Sequence, residues 1–582
     1  MDFTHSLPHG SSSSLCFSPG STFLAYIAGT PANAVIICRS DTLQVASQWT
    51  FDDYDIQQIQ WSDDGLFLHA TNTLHGIVFV LSPDPQRQAS DGSDDGQRWL
   101  ARLEAGYEGL AAAAWAPSVG PPTILTFSMH QLRLTAYDLA NQGVTVFENP
   151  KKARILRAIK LPGVFAVLEV HNETDQISIY GYKPHSGLRP SKDEPSGWLV
   201  DHSFPIATND ASDVTWAPDG NHFAVFESVL EYKVVVYTSS GVLRVTLAGE
   251  GFESPQVVVT HPSLAGSQGS RTTAIKNRLA KGKNKDSGEE VATATGGLGV
   301  RCMSWHPSGQ MLAVGGYDEK IRVLESEFWG LWTTVDMTPR VISQEGIESD
   351  PGYIKLVRIG IPIERSEARH LPSCTVQEAF REAAGWLAEV GGQGIVDYQH
   401  SSLPLSPPHV RPDFSKPSPK VGVAWMDFNE DGTMLACRNE SLPTTAFVYH
   451  LPRAPAGTII DTARSRPQPR LIAVLVQNAP IKSAVWRPRH YASLYLCCGG
   501  PAVYSWKATA SSTSENNNGE IVPKGKPKPD NIKLVQCAEC IAVPSEEPFN
   551  ANEIKWSPDG QKLLVIDVDT FCCAIDVDGQ RS

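Results

Sequence analysis

An all-β ring of about nine blades, a β-propeller, is the fold this sequence predicts, and three observations predict it. A turn-forming motif recurs along the whole chain, the stretches beside each copy alternate like strands, and several copies stand one blade length apart. The motif is an aromatic residue, a small or polar residue, Pro or Asp, a turn residue, Gly, then an apolar run. It begins at Phe17 (Phe-Ser-Pro-Gly-Ser), Trp61 (Trp-Ser-Asp-Asp-Gly), Trp115 (Trp-Ala-Pro), Trp216 (Trp-Ala-Pro-Asp-Gly) and Trp305 (Trp-His-Pro-Ser-Gly). It returns at Phe428 (Phe-Asn-Glu-Asp-Gly), Trp486 (Trp-Arg-Pro) and Trp556 (Trp-Ser-Pro-Asp-Gly), and a worn copy lies near Ile159 (Ile-Lys-Leu-Pro-Gly).

Each copy is a hairpin. Pro sets φ for a turn, and Asp-Gly supplies the positive φ that a tight connection needs. The flanks are β-branched and aromatic, as in Val-Val-Val-Tyr at 234–237. From Trp305 to Leu324 a strand, a Pro-Ser-Gly turn, a second strand, a Tyr-Asp-Glu-Lys turn and a third strand follow one another, the shape of a WD40-type blade. Phe17 to Trp61 is 44 residues, one blade. The intervals of 89 residues from Trp216 to Trp305 and 123 from Trp305 to Phe428 require long insertions. Trp-Asp and Gly-His dipeptides are absent, so the anchors alone count the blades, and rings of seven or eight are the alternatives to nine.

The last blade ends after a third strand, so residues near Phe3 to Leu7 are expected to supply its fourth and to clasp the two ends. Residues 249–298 read as a flexible insertion, with Arg271, Lys276, Arg278, Lys281, Lys283 and Lys285 forming a basic tract free of acids. A second insertion, 337–420, is Pro-rich from 402 to 419. It carries one expected short helix near 375–390, started by a capping box of Thr375 and Glu378, with Val376, Phe380, Ala383 and Leu387 on one face. Residues 508–530 read as a flexible loop. The whole chain, 1–582, is expected to be a single propeller that carries these insertions.

Composition removes several classes. The 582 residues carry 49 Lys and Arg against 63 Asp and Glu, a net charge of −14, which disfavours a general nucleic-acid binder. No run reaches the ~18 apolar residues of a membrane span, and the first residues lack the basic start and apolar run of a signal peptide. The eleven Cys, several within apolar strand-like runs, suit reduced buried thiols better than a disulfide framework.

Catalysis needs a constellation of groups, and the sequence shows none. It has no Gly-x-Ser-x-Gly elbow, no phosphate-binding Gly-x-x-x-x-Gly-Lys-Ser/Thr and no His-Glu-x-x-His. Cys537 and Cys540, three apart on a strand, point to opposite faces and do not converge on zinc. Asp318, after Gly-Gly-Tyr, is expected to bond its own turn. No catalytic, metal-binding or cofactor-binding residue is therefore assigned, and the chain is expected not to be an enzyme.

Some segments are more particular than a generic blade. These are Trp216-Ala-Pro-Asp-Gly-Asn-His-Phe-Ala-Val-Phe-Glu-Ser, Leu230-Glu-Tyr-Lys, the run from Gly299 to Leu324, Pro419-Lys-Val-Gly-Val-Ala-Trp, and Arg438-Asn-Glu-Ser-Leu-Pro. Their order resembles the WD-repeat family WRAP-seventy-three, or WD-repeat protein eight. The long insert and low-complexity loops suggest a filamentous-fungal member, and Phe447 and Tyr449 stand where the family pattern has tryptophan. The resemblance implies a non-enzymatic scaffold at the spindle pole body or centrosome, in the cytoplasm and its cytoskeleton, that helps anchor microtubule minus ends and organise the mitotic spindle. It implies a coiled-coil partner of the SSX-two-interacting type found at centriolar satellites, a minus-end-directed kinesin-fourteen, and indirect contact with microtubules, with no membrane or specific nucleic acid. The alternative is a propeller factor in translation initiation, disfavoured by the acidic charge. The candidate partner-binding residues are Glu231, Tyr232 and Lys233, which open a strand, and Arg438, Asn439 and Glu440, where a strand runs into a turn.

Overall fold

The computed structural model describes residues 1–10, 15–29, 33–84, 99–105, 108–184, 197–227, 232–248, 299–326, 329–337, 342–343, 375–413, 415, 420–451, 469–510, 534–545 and 548–575. Among these residues the chain forms nine sheets, one for each motif copy. The basic tract of 249–298 and Glu231 lie outside the described residues.

A typical blade is blade six: Val300–Trp305, Met311–Gly316, Lys320–Glu325 and Gly330–Asp336, paired antiparallel in that order. Blade four is the worn copy. Its first strand is reduced to two bridges, Pro150 to Glu169 and Leu156 to Ala166, ahead of a three-stranded sheet. Leu156 and Ala158 still face the buried side, so packing survives where the hydrogen-bond ladder does not.

The motif's residues each have a local job. In four copies the residue after the aromatic closes the hairpin by accepting from the amide five positions on. Ser18 accepts from Phe23 (3.0 Å), Ser62 from Phe67 (3.0 Å), Asn429 from Met434 (2.8 Å) and Ser557 from Lys562 (2.9 Å). The aromatic itself joins neighbouring blades. The indole N–H of Trp61 donates to the Cys16 carbonyl (3.3 Å), that of Trp115 to Gln60 (3.0 Å), and that of Trp486 to Asp427 (3.0 Å). In all three the acceptor directly precedes the preceding blade's aromatic. Trp305 does the same through the Thr215 hydroxyl (3.1 Å). Trp115→Phe removes one such bond at a fully buried site. It is expected to cost about 1–2 kcal/mol, since the Gln60 carbonyl loses its partner, and a urea midpoint measurement reads this directly.

The ring closes as a clasp. Asp2–Phe3 and Leu7–Pro8 pair antiparallel with Thr570–Ile575, the third strand of blade nine. The expected fourth strand is thus supplied by the other end of the chain, in two short pieces.

The expectation of a helix near 375–390 is corrected. Thr375–Arg381 is a strand, parallel to Arg470–Val476 at the outer edge of blade seven, and helix is confined to Trp386–Glu389. The same insertion then lays Ile395–Asp397 along Leu534–Ala542, the outer strand of blade eight, and returns Gln399–His400 to blade seven. An unpaired strand edge is a strong template, and here it outweighs the local capping signal. Where described, the insertion is therefore a staple across two blades. The loop expected at 508–530 also starts later than its sequence suggests, because Ala508, Thr509 and Ala510 continue a strand paired with 534–536.

Candidate partner-binding face

Tyr232 and Lys233 stand at the head of the third strand of blade five, Lys233–Thr238, while Arg438 and Asn439 end the second strand of blade seven, Met434–Asn439, with Glu440 next. Blade six stands between them and connects them. In blade five, Tyr232 is buried and carries the Arg322 guanidinium over its ring at 4.8 Å. Arg322 also pairs with Asp318 (2.5 Å). Burial works against the Arg322 charge, but the Asp318 and Tyr232 contacts prevail and hold its pKa above the ordinary value. Burial likewise raises Tyr232, which stays a neutral phenol. Asp318 accepts from the Lys320 amide (3.4 Å), as its turn position predicts, and in addition anchors this cation.

On the other side of blade six, Arg301 sits at a bulge in the innermost strand, where the register shifts between Val300 and Cys302. A bulge re-aims its side chain. Arg301 donates to the Val421 carbonyl, pairs with Glu440 at 2.7 Å, and lies 5.6 Å from the centre of the Tyr317 ring. Arg438 approaches the same Glu440 at 3.9 Å. Burial pulls the Arg438 pKa below its usual value, with the Glu440 carboxylate opposing that shift and the Arg301 charge adding to it.

The candidates divide by exposure. Tyr232 and Asn439 are packed inside the ring, at 6% and 0% exposure, and present no surface to a partner. Lys233 is mostly covered and pairs with Glu227 at 3.2 Å. Arg438 and Glu440 keep partial access. One reason for the burial around Asn439 lies far away in sequence. The Pro-rich segment after Gln399–His400 runs inward over blade seven: the Ser401 amide donates to Ala379 and the Val410 amide to Ser441, both at 2.8 Å, and Leu405 is buried beside Leu442. Sequence reading missed Arg301 and Tyr317, whose only signal is adjacency in space to the second candidate set.

Among the described residues one trio has metal-ligand spacing, Asp397, Cys537 and Glu539, with donor atoms within 4.8 Å of one another. Lys507 lies 3.6 Å from Glu539 and already offsets its charge. Cys537 is exposed and Cys540 buried, on opposite faces of the strand. Burial pushes the thiols of Cys302 and Cys497 up to about 12 and raises Cys437, Cys498 and Cys540 as well. These sulfurs are neutral packing groups at pH 7, not nucleophiles.

Known proteins agree with the repeat reading. The family described as "WD domain, G-beta repeat" matches residues 288–324. The chain is 24% identical over 566 residues to the mouse WD repeat-containing protein WRAP73, covering 96% of this chain and 92% of that protein. It is also 24% identical over 146 residues to an uncharacterised WD repeat-containing protein of Schizosaccharomyces pombe, covering 25% of this chain and 28% of the other. Among solved structures, Sqt1 from Chaetomium thermophilum aligns with 99% of this chain and 100% of its own, at 12% identity and a TM-score of 0.42.

Proposed function

From the similarity to mouse WRAP73 over nearly the whole chain, we propose that it is a non-enzymatic scaffold of the spindle pole or microtubule-organising centre. Its coarser role, a propeller that brings proteins together, belongs to the family and suits the build. A closed ring offers two turn-lined faces and a rim on which different partners can sit together. On this reading the partners are a coiled-coil spindle-pole protein of the SSX-two-interacting type and a minus-end-directed kinesin-fourteen. Microtubules are reached through them, and the protein resides at the cytoskeletal pole. The observation that supports the reading most is the similarity to mouse WRAP73 along nearly the whole chain.

Affinity purification of the tagged full-length chain from mitotically arrested cells is the test. A coiled-coil pole protein and a kinesin are expected to co-purify in stoichiometric amounts. Recovery of ribosomal subunits or initiation factors without either would overturn the proposal in favour of a role in translation.

A further inference from the structure

Two guanidinium groups share one carboxylate beside the innermost strands of blades six and seven. Arg301 satisfies itself: it bonds Glu440 at 2.7 Å and the Val421 carbonyl. Arg438 does not. Its nearest acid oxygen, on Glu440, is 3.9 Å away, beyond hydrogen-bonding distance. Its guanidinium donates no hydrogen bond among the described residues, although its side chain is only 19% exposed. Its five N–H donors keep access to water and are open to an acceptor that a partner brings. The local sum of Arg301, Arg438 and Glu440 is one positive charge, in a chain whose net charge is −14. The Tyr317 ring beside Arg301 walls the site on one side, and the bulge at Arg301 points that residue toward Glu440 instead of along the sheet.

We propose that Arg438, with Arg301 and Tyr317, forms a carboxylate-binding site for an acidic segment of a partner protein. A Glu or Asp side chain there accepts from the guanidinium of Arg438 in the bidentate geometry that carboxylates and guanidiniums favour. Glu440 positions Arg301 and competes weakly with the incoming acid, which makes the site selective for segments with several acids over single ones. The inference rests on the scaffold reading only in that a partner supplies the segment.

Fluorescence anisotropy of a labelled octaglutamate peptide with the purified full-length chain tests it, with octaglutamine as the control probe. Octaglutamate is expected to bind and octaglutamine not. Arg438→Gln is expected to weaken binding by about tenfold or more, the worth of a charge-assisted hydrogen bond. Glu440→Gln, which removes the competing acid, is expected to tighten it. Neutralising the basic residues of the 271–285 tract to Gln is expected to leave the Arg438 effect in place. Equal binding by wild type and Arg438→Gln, or loss of binding only on neutralising that tract, would overturn the proposal. If Arg438→Gln melts early, Glu440→Gln decides alone: unchanged or weaker binding counts against the site. Co-purification of pole proteins is a separate measurement, so either result can fail without the other.

Discussion

Gly432→Val is expected to destabilise the ring by about 2–5 kcal/mol, the combined cost of left-handed backbone for a branched residue and of overpacking. Gly432 has φ +72° and lies in the first turn of blade seven. A Cβ there would overlap His306 Nε2 of blade six. His306 has no room to retreat. The Ser308 amide donates to its Nδ1 at 3.1 Å, so Nε2 carries the proton and donates to the Gly432 carbonyl at 3.0 Å. Its ring also stands edge-on to Phe428, the aromatic of the next blade, at 5.4 Å. Gly500→Ala is the control, since no atom lies within 4 Å of its Cβ position. Urea unfolding of both variants checks the difference. Adding His306→Ala to Gly432→Val should recover the overpacking part and leave the backbone part.

The second large effect is expected at Glu382. This residue follows the insertion's strand and is 7% exposed. Its carboxylate accepts from the Trp386 indole (2.9 Å) and the Tyr504 hydroxyl (2.7 Å) through Oε1, and from the Asn478 amide (2.8 Å) through Oε2. The three donors come from the short helix, from blade eight and from the connection after blade seven. Glu382→Leu leaves all three unpaired in a buried site, a loss of about 3 kcal/mol or more. Glu382→Gln keeps one oxygen acceptor and should lose less. Hydrogen exchange locates the damage: amides of 375–400 are expected to exchange faster, while Met311–Gly316 in blade six stays protected. Uniform acceleration across all blades would show instead that the staple is needed by the whole ring.

The blades were legible because each copy solves the same local problem with the same residue types. A Ser or Asn closes the hairpin at Ser18, Ser62, Asn429 and Ser557, and a Trp reaches back one blade at Trp61, Trp115 and Trp486. Such signals are short-range and repeat, so they survive in a single sequence. The segment at 375–381 was misread because its register fits two periods. Val376 and Phe380 are four apart, as on a helix, yet also lie on one face of a strand. The choice between them was made by the open edge of Arg470–Val476, about ninety residues downstream. The candidate face was half legible for a similar reason. Polar residues at strand ends flagged Arg438 and Glu440, but the cover over Asn439 comes from the segment around Leu405 and Val410. Arg301, which completes the cluster, is 137 positions from Arg438 in the chain.

The clasp also sets a clock. Asp2 and Phe3 meet Ile575 and Ala574, and the Thr4 hydroxyl accepts from the Cys573 amide. At about 5–20 residues per second, these partners follow the first strand from the ribosome by roughly half a minute to two minutes. Throughout that time the growing chain is an open arc of stacked blades, held by contacts between neighbours, with a bare face at its leading blade. Contacts between adjacent blades can form as synthesis proceeds, whereas the seam waits for Thr570–Ile575. Blade nine is thus the one blade whose assembly needs strands made at both the start and the finish of the ring.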